Sequence, residues 1–133
     1  MSELVLDTSA VLGLALDDES SEYAVRAAAI AAKHGAWVPP IFWYELRNSL
    51  LTAERRKRTN QQAVEAFLST LAVIPINVDE LPPEGPVMAL ARQHSLTVYD
   101  AAYLELAQRR RLPIATLDDA IARAALKVGV GVL

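Results

Sequence analysis

Short apolar runs that stop at a polar or acidic residue, each followed by a stretch of helical character, confine this chain to the α/β class. Residues 3–7 form the first run, which ends at Asp7-Thr8-Ser9. Residues 36–38 form the second, closed by Pro39-Pro40. Residues 73–77, 114–116 and 128–133 supply three more. Pro75, with no N–H to give a ladder, makes the first of these an edge or irregular strand. Between the strands the pattern predicts helices at about 8–16, from residue 21 through the alanine-rich stretch to His34-Gly35, and at 41–57, 60–72, 84–94, 100–110 and 118–127. The polar residues 17–21 are expected to cap the second helix, and Gly35 to end it. Pro82-Pro83-Glu84-Gly85-Pro86 is the strongest break, a loop before a helix whose first turn accepts proline. Strands alternating with helices imply a parallel sheet with helices on both faces. The binding crevice of such a sheet lies beyond the C-terminal ends of its strands.

At 133 residues the chain is expected to form a single domain, and its 53% hydrophobic content suffices for a sizeable core. No apolar stretch approaches the ~20 residues of a membrane helix. The first sixteen residues lack a basic leader and are interrupted by Asp7, so no signal peptide is expected. With no cysteine, disulfide and thiolate chemistry are excluded. A cytoplasmic protein fits these features. The net charge of -3 argues against a passive nucleic-acid binder, but not against an enzyme whose carboxylates are offset by bound cations.

Four acidic residues carry the functional reading. Asp7 ends the first strand, and Asp118 follows the strand at residue 114 by two positions. Asp100 stands at the start of a helix, in Val98-Tyr99-Asp100-Ala101. Glu45 lies in the apolar helical run Ile41-Phe42-Trp43-Tyr44-Glu45-Leu46, where an unbalanced charge costs several kcal/mol if buried. Taken singly, each aspartate serves equally well as a helix N-cap, and Glu45 could face solvent. Asp119 reads as a first-turn charge favoured by the helix dipole, or as a fifth carboxylate. Carboxylates gathered at one edge repel each other and raise each other's pKa, and a hard divalent cation relieves this. The sheet geometry brings only Asp7 and Asp118 together.

Four segments resemble the VapC-type PIN-domain family, the toxin half of type II toxin–antitoxin modules. They are Val5-Leu6-Asp7-Thr8-Ser9-Ala10, Glu45-Leu46-Arg47-Asn48-Ser49-Leu50, Tyr99-Asp100-Ala101-Ala102-Tyr103-Leu104-Glu105-Leu106-Ala107, and Leu112-Pro113-Ile114-Ala115-Thr116-Leu117-Asp118. They come in family order across nearly the whole chain. The resemblance implies a three-layer α/β/α domain, with a five-stranded parallel sheet in order 3-2-1-4-5 and about seven helices. It implies that Asp7, Glu45, Asp100 and Asp118 are the catalytic set and share one site for one or two Mg²⁺ or Mn²⁺ ions. Thr8 or Ser9, Thr116 and Asn48 would orient ligands by hydrogen bonds. It further implies metal-assisted hydrolysis of RNA phosphodiesters, tRNA or rRNA being typical, a homodimer, and a VapB-type antitoxin that covers the acidic cleft.

Arg55, Arg56, Lys57 and Arg58 suit a helix C-terminus through the dipole, or else meet RNA phosphates. Arg109-Arg110-Arg111 has the same two readings. Trp43 and Tyr44 are expected in core or dimer packing rather than stacking on bases. His34 and His94 fall near helix ends, and nothing in the sequence pairs them as the acid and base of a metal-free ribonuclease. A phosphoacceptor receiver would want paired acids after strand one and a lysine near the last strand. An aspartyl-phosphate phosphatase would want an aspartate at position 9, where Ser9 stands. The rival readings that remain are a non-catalytic adapter of the same fold and a DNA-directed or flap-type nuclease.

Overall fold

The computed structural model describes residues 2–16 and 21–133. The cap expected at residues 17–20 lies outside them. The elements run β1 (Leu4–Leu6), α1 (Thr8–Ala15), α2 (Ser21–His34), β2 (Ala36–Val38), α3 (Ile41–Arg55), α4 (Gln61–Leu71), β3 (Ile76–Val78), α5 (Glu84–His94), α6 (Val98–Arg110), β4 (Ile114–Ala115) and α7 (Asp119–Lys127). All strand pairings are parallel, in the order β3-β2-β1-β4. Leu4, Val5 and Leu6 are all buried, so both faces of the central strand are covered, as a parallel sheet demands. α6 lies across β1, β2 and β4 and carries α5, while α2 packs on β1 and α1 packs on α2, α3 and α4.

The expected fifth strand is reduced to one parallel bridge, Ile114 to Val132. The Ile114 N–H donates to the Gly131 carbonyl at 2.9 Å, and the Leu133 N–H donates to the Ile114 carbonyl at 3.0 Å. Gly129 turns the chain out of α7 at φ 79°, which leaves little length for a longer ladder. β3 is an edge strand, as Pro75 requires. It begins just after that proline, three residues later than the sequence pattern suggests.

α3 buries Phe42, Leu46, Leu50 and Ala53, spaced three and four apart along one stripe. That spacing keeps Trp43 and Tyr44 out of the core, one of the two placements expected for them; packing in a dimer is the other. They lie off the stripe and stay exposed at 52% and 66%, with Trp43 edge-on to Tyr44 and under the Arg47 guanidinium. Glu45 is half-buried at the margin of the same stripe.

Arg109 and Arg110 at the end of α6 are not a free basic run. Arg109 grips the buried Glu105 with two hydrogen bonds, Nε at 2.8 Å and Nη2 at 3.1 Å, and also pairs with Asp79 after β3. Arg110 reaches Asp79 at 3.4 Å and stacks over Trp37 of β2. Glu105 and Asp79 push the Arg109 pKa up, and the two arginines outweigh burial to hold Asp79 below the usual carboxylate range. The cluster ties the edge of the sheet to α6. Among the described residues, no helix is long and apolar enough to cross a membrane.

Candidate active site

The register of β1 and β4 builds the centre of the site. Leu6 pairs with Ala115, so the next residues, Asp7 and Thr116, leave the sheet side by side, and the Asp7 N–H donates to the Ala115 carbonyl at 3.0 Å. Asp7 stands at the N-cap position of α1, yet its side chain makes no capping bond. Instead its Oδ2 accepts from Ser9 Oγ at 2.6 Å and from Thr116 Oγ1 at 2.8 Å. Thr116 is itself held by Tyr23, whose hydroxyl accepts from the Thr116 N–H at 3.0 Å and donates to the Leu133 carbonyl at 3.1 Å.

Glu45 enters from α3. Tyr103 Oη donates to its Oε1 at 2.6 Å. The Thr8 hydroxyl, 3.2 Å from Tyr103 Oη, also donates to the same Glu45 oxygen at 3.5 Å. The described hydroxyl donors thus converge on one oxygen of Asp7 and one of Glu45, leaving the second oxygen of each for another partner. Asp118 is an N-cap, its Oδ1 accepting from the Ile121 N–H at 2.9 Å. Asp100 is not a cap. Thr97 takes that role for α6, accepting from the Asp100 N–H at 3.1 Å, and Asp100 sits in the first turn.

The four carboxylates form one electrostatic cluster. Burial pushes the Asp7 pKa up. The Ser9 and Thr116 hydroxyls and the Thr8 N–H pull it down, and Asp118 adds to the rise. Burial also raises Glu45 against the Tyr103 hydrogen bond, with Asp7 and Asp100 adding repulsion. Asp100 is raised by burial, then by Asp118 and Asp7. Each of these three acids holds its proton more tightly folded than unfolded. Their stabilising contribution is therefore complete below the ordinary carboxylate range and falls as pH rises through the raised values. Among the described residues none of the four makes a salt bridge. Nor do any three acidic or histidine side chains there already enclose a metal position. Uncompensated like charges repel, and Mg²⁺ keeps several waters, so a cation here would be held by one or two carboxylates together with water and a substrate phosphate. The donor set, all oxygen and short of positive charge, fits a hard divalent cation.

The sequence matches the PIN domain family over residues 4–127. The chain belongs to the PIN-domain family. It is 32% identical over 125 residues to Ribonuclease VapC3 of Pyrobaculum aerophilum, covering 90% of this chain and 92% of that one. The crystal structure of PAE2754 from Pyrobaculum aerophilum superposes with a TM-score of 0.70 at 25% identity, covering 92% of this chain and 86% of that one. A toxin–antitoxin complex from Klebsiella pneumoniae shares the fold with a TM-score of 0.57 at 20% identity, covering 86% of each chain.

Two residues expected to support the site make no described hydrogen bond to its carboxylates. Asn48 is exposed, and Asp119 is an exposed first-turn residue of α7. Asn48 lines a groove of about 220 Å³ with Ser49, Thr52, Arg56 and Arg58, which joins part of the basic run to the side chain one turn beyond Glu45. Arg55, Arg56, Lys57 and Arg58 are all exposed. The sequence reading missed Tyr103 and Tyr23. Tyr103 was discoverable, because position 103 shares the Asp100 face of α6 one turn on. Tyr23 reaches Thr116 across 93 residues of sequence, which no local pattern signals.

Proposed function

We propose that this PIN domain is a Mg²⁺- or Mn²⁺-dependent endoribonuclease, the toxin of a toxin–antitoxin pair, acting on tRNA or rRNA in the cytoplasm as a homodimer restrained by a VapB-type antitoxin. The observation that carries the reading is the cluster of Asp7, Glu45, Asp100 and Asp118, three of them with raised pKa and none with a described ion pair. The ribonuclease name of the VapC3 relative supports the substrate class. One or two divalent ions bound there supply positive charge for the scissile phosphate and lower the pKa of attacking water. Ser9 and Thr116 fix the Asp7 carboxylate, Tyr103 and Thr8 fix Glu45, and the first turn of α7 fixes Asp118. Arg55, Arg56, Lys57 and Arg58, exposed at the far end of α3 from Glu45, hold the RNA backbone further along the strand.

Incubation with purified tRNA and rRNA in Mn²⁺ gives discrete fragments with 5′-phosphate ends, and a chelator stops the reaction. Cleavage of DNA instead, or of neither polymer, contradicts the reading and favours a DNA-directed nuclease or an adapter respectively.

Replacing Tyr103 with phenylalanine keeps the ring in the core and removes only the donor to Glu45. Groups that orient metal ligands typically contribute about 10–100-fold to activity, and a loss of that size is expected here. The hydrogen bond lowers the Glu45 pKa, so without it the acidic limb of the pH–rate profile moves to higher pH. A uniformly reduced rate with an unmoved acidic limb contradicts this role.

A further inference from the structure

We propose that the groove between the end of α5 and the side of α7 binds a backbone phosphate of the RNA strand just outside the acidic cluster. The proposal rests on the ribonuclease reading. His94 and Ser95 at the end of α5, and Arg123 and Lys127 on α7, line an open groove of about 250 Å³. Arg123 and Lys127 are one turn apart on one helix face, both exposed, and among the described residues neither makes a salt bridge. Ala120 and Ala124 on the same face leave the space between them open. His94 Nε2 is buried without a hydrogen-bond partner. No carboxylate lines the groove, which sets it apart from the acidic cluster and makes it unfit for a metal ion. An arginine, a lysine and a serine hydroxyl are the chemistry that takes a phosphate oxyanion.

Its position gives that chemistry a use. Asp118 caps α7, so Arg123, five residues on, lies about 7.5 Å further along the helix axis. Ser95 precedes Asp100 by five residues on the other wall. The groove therefore opens about 7.5 Å beyond Asp118 along α7, on the chain segments that deliver two of the aspartates. Arg109 and Arg110 are engaged by Glu105, Asp79 and Trp37. In a chain of net charge -3, local unpaired cations are what hold a polyanion beside four carboxylates.

The test uses the Asp7→Asn chain, so that bound RNA stays intact, with and without Arg123→Ala plus Lys127→Ala. Both positions are exposed helical sites where alanine is favourable, so the fold is retained. Anisotropy of a fluorescent single-stranded RNA in Mg²⁺ is read against salt. The slope of log affinity on log salt is expected to shrink by about 0.7 for each phosphate that the protein no longer neutralises, with binding ~5–10-fold weaker at low salt. In the chain that retains Asp7, the same pair of substitutions raises KM and leaves kcat in place. Equal slopes and affinities with and without the pair overturn the proposal while leaving the ribonuclease reading intact. No RNA binding by either chain also overturns the proposal, while cleavage by the chain that retains Asp7 decides the ribonuclease reading separately. A parallel titration with inorganic phosphate follows the His94 imidazole by NMR. Phosphate perturbing His94 while RNA affinity ignores the pair identifies a free-phosphate site and overturns the RNA assignment.

Discussion

Asp7→Asn is expected to lower RNA cleavage about a thousandfold or more, since a cation site contributes several kcal/mol and each 1.36 kcal/mol is tenfold in rate. The same change leaves the metal-free protein at least as stable at pH 7 as its parent. The two effects have one cause. Asp7 is buried, and its pKa is raised by that burial and by Asp118. At pH 7 its ionised form weakens the fold, and an uncharged amide of the same shape removes that penalty. The hydroxyls of Ser9 and Thr116 can still donate to the remaining amide oxygen. Thermal melts in chelator and cleavage assays in Mn²⁺ check both halves. Parental cleavage by the variant would falsify the catalytic role of Asp7. A large drop in melting temperature would show that Asp7 serves the fold instead.

Among the charged residues outside the site, the largest loss of stability is expected at Arg109. Arg109→Leu strands Glu105, which is buried, and leaves Asp79 only the longer contact to Arg110. Breaking a buried ion pair by removing one partner costs about 3–5 kcal/mol. Arg109 is itself 37% exposed, so about 2–3 kcal/mol is the expected loss after allowing for solvent screening. Asp79 sets the pH dependence. Its pKa is held below the usual range, so its contribution is present above the ordinary carboxylate pKa and lost as pH falls toward the lowered value. The penalty of the variant should therefore shrink in acid. Denaturant unfolding at neutral and acidic pH measures this, and a loss under about 0.5 kcal/mol at neutral pH would reduce the cluster to an ordinary surface pair.

Asp7 and Asp118 stand just past β1 and β4, where the strand-end rule looks for chemistry, because the apolar runs of those strands pair in parallel register. Asp100 was legible as a position but not in its role. The choice between Thr97 and Asp100 as cap depends on which side chain reaches back to the first turn, and both residue types can do so. Trp43 and Tyr44 are exposed on the single chain, so of their expected placements only the dimer contact remains. Phe42, Leu46 and Leu50 define the buried stripe of α3, and Trp43, three residues before Leu46, lies at its edge, where the sequence alone does not choose between core and surface. The pairings of Tyr23 with Thr116, and of Arg109 with Asp79, were out of reach, since they arise only when distant elements pack. The fifth strand failed for a local reason, the turn at Gly129, which removes the length a ladder needs.

Joint action of Asp7, Glu45, Asp100 and Asp118 on one divalent cation underlies the proposed chemistry. Titration of the protein with Mn²⁺, followed by loss of the free-ion electron paramagnetic resonance signal, tests it directly. Saturable binding is expected at pH 7, weaker at pH 5 where protons compete for the raised carboxylates, and lost in Asp7→Asn and Glu45→Gln alike. Binding that is absent at millimolar Mn²⁺, or equally strong in the parent and both variants, would contradict it.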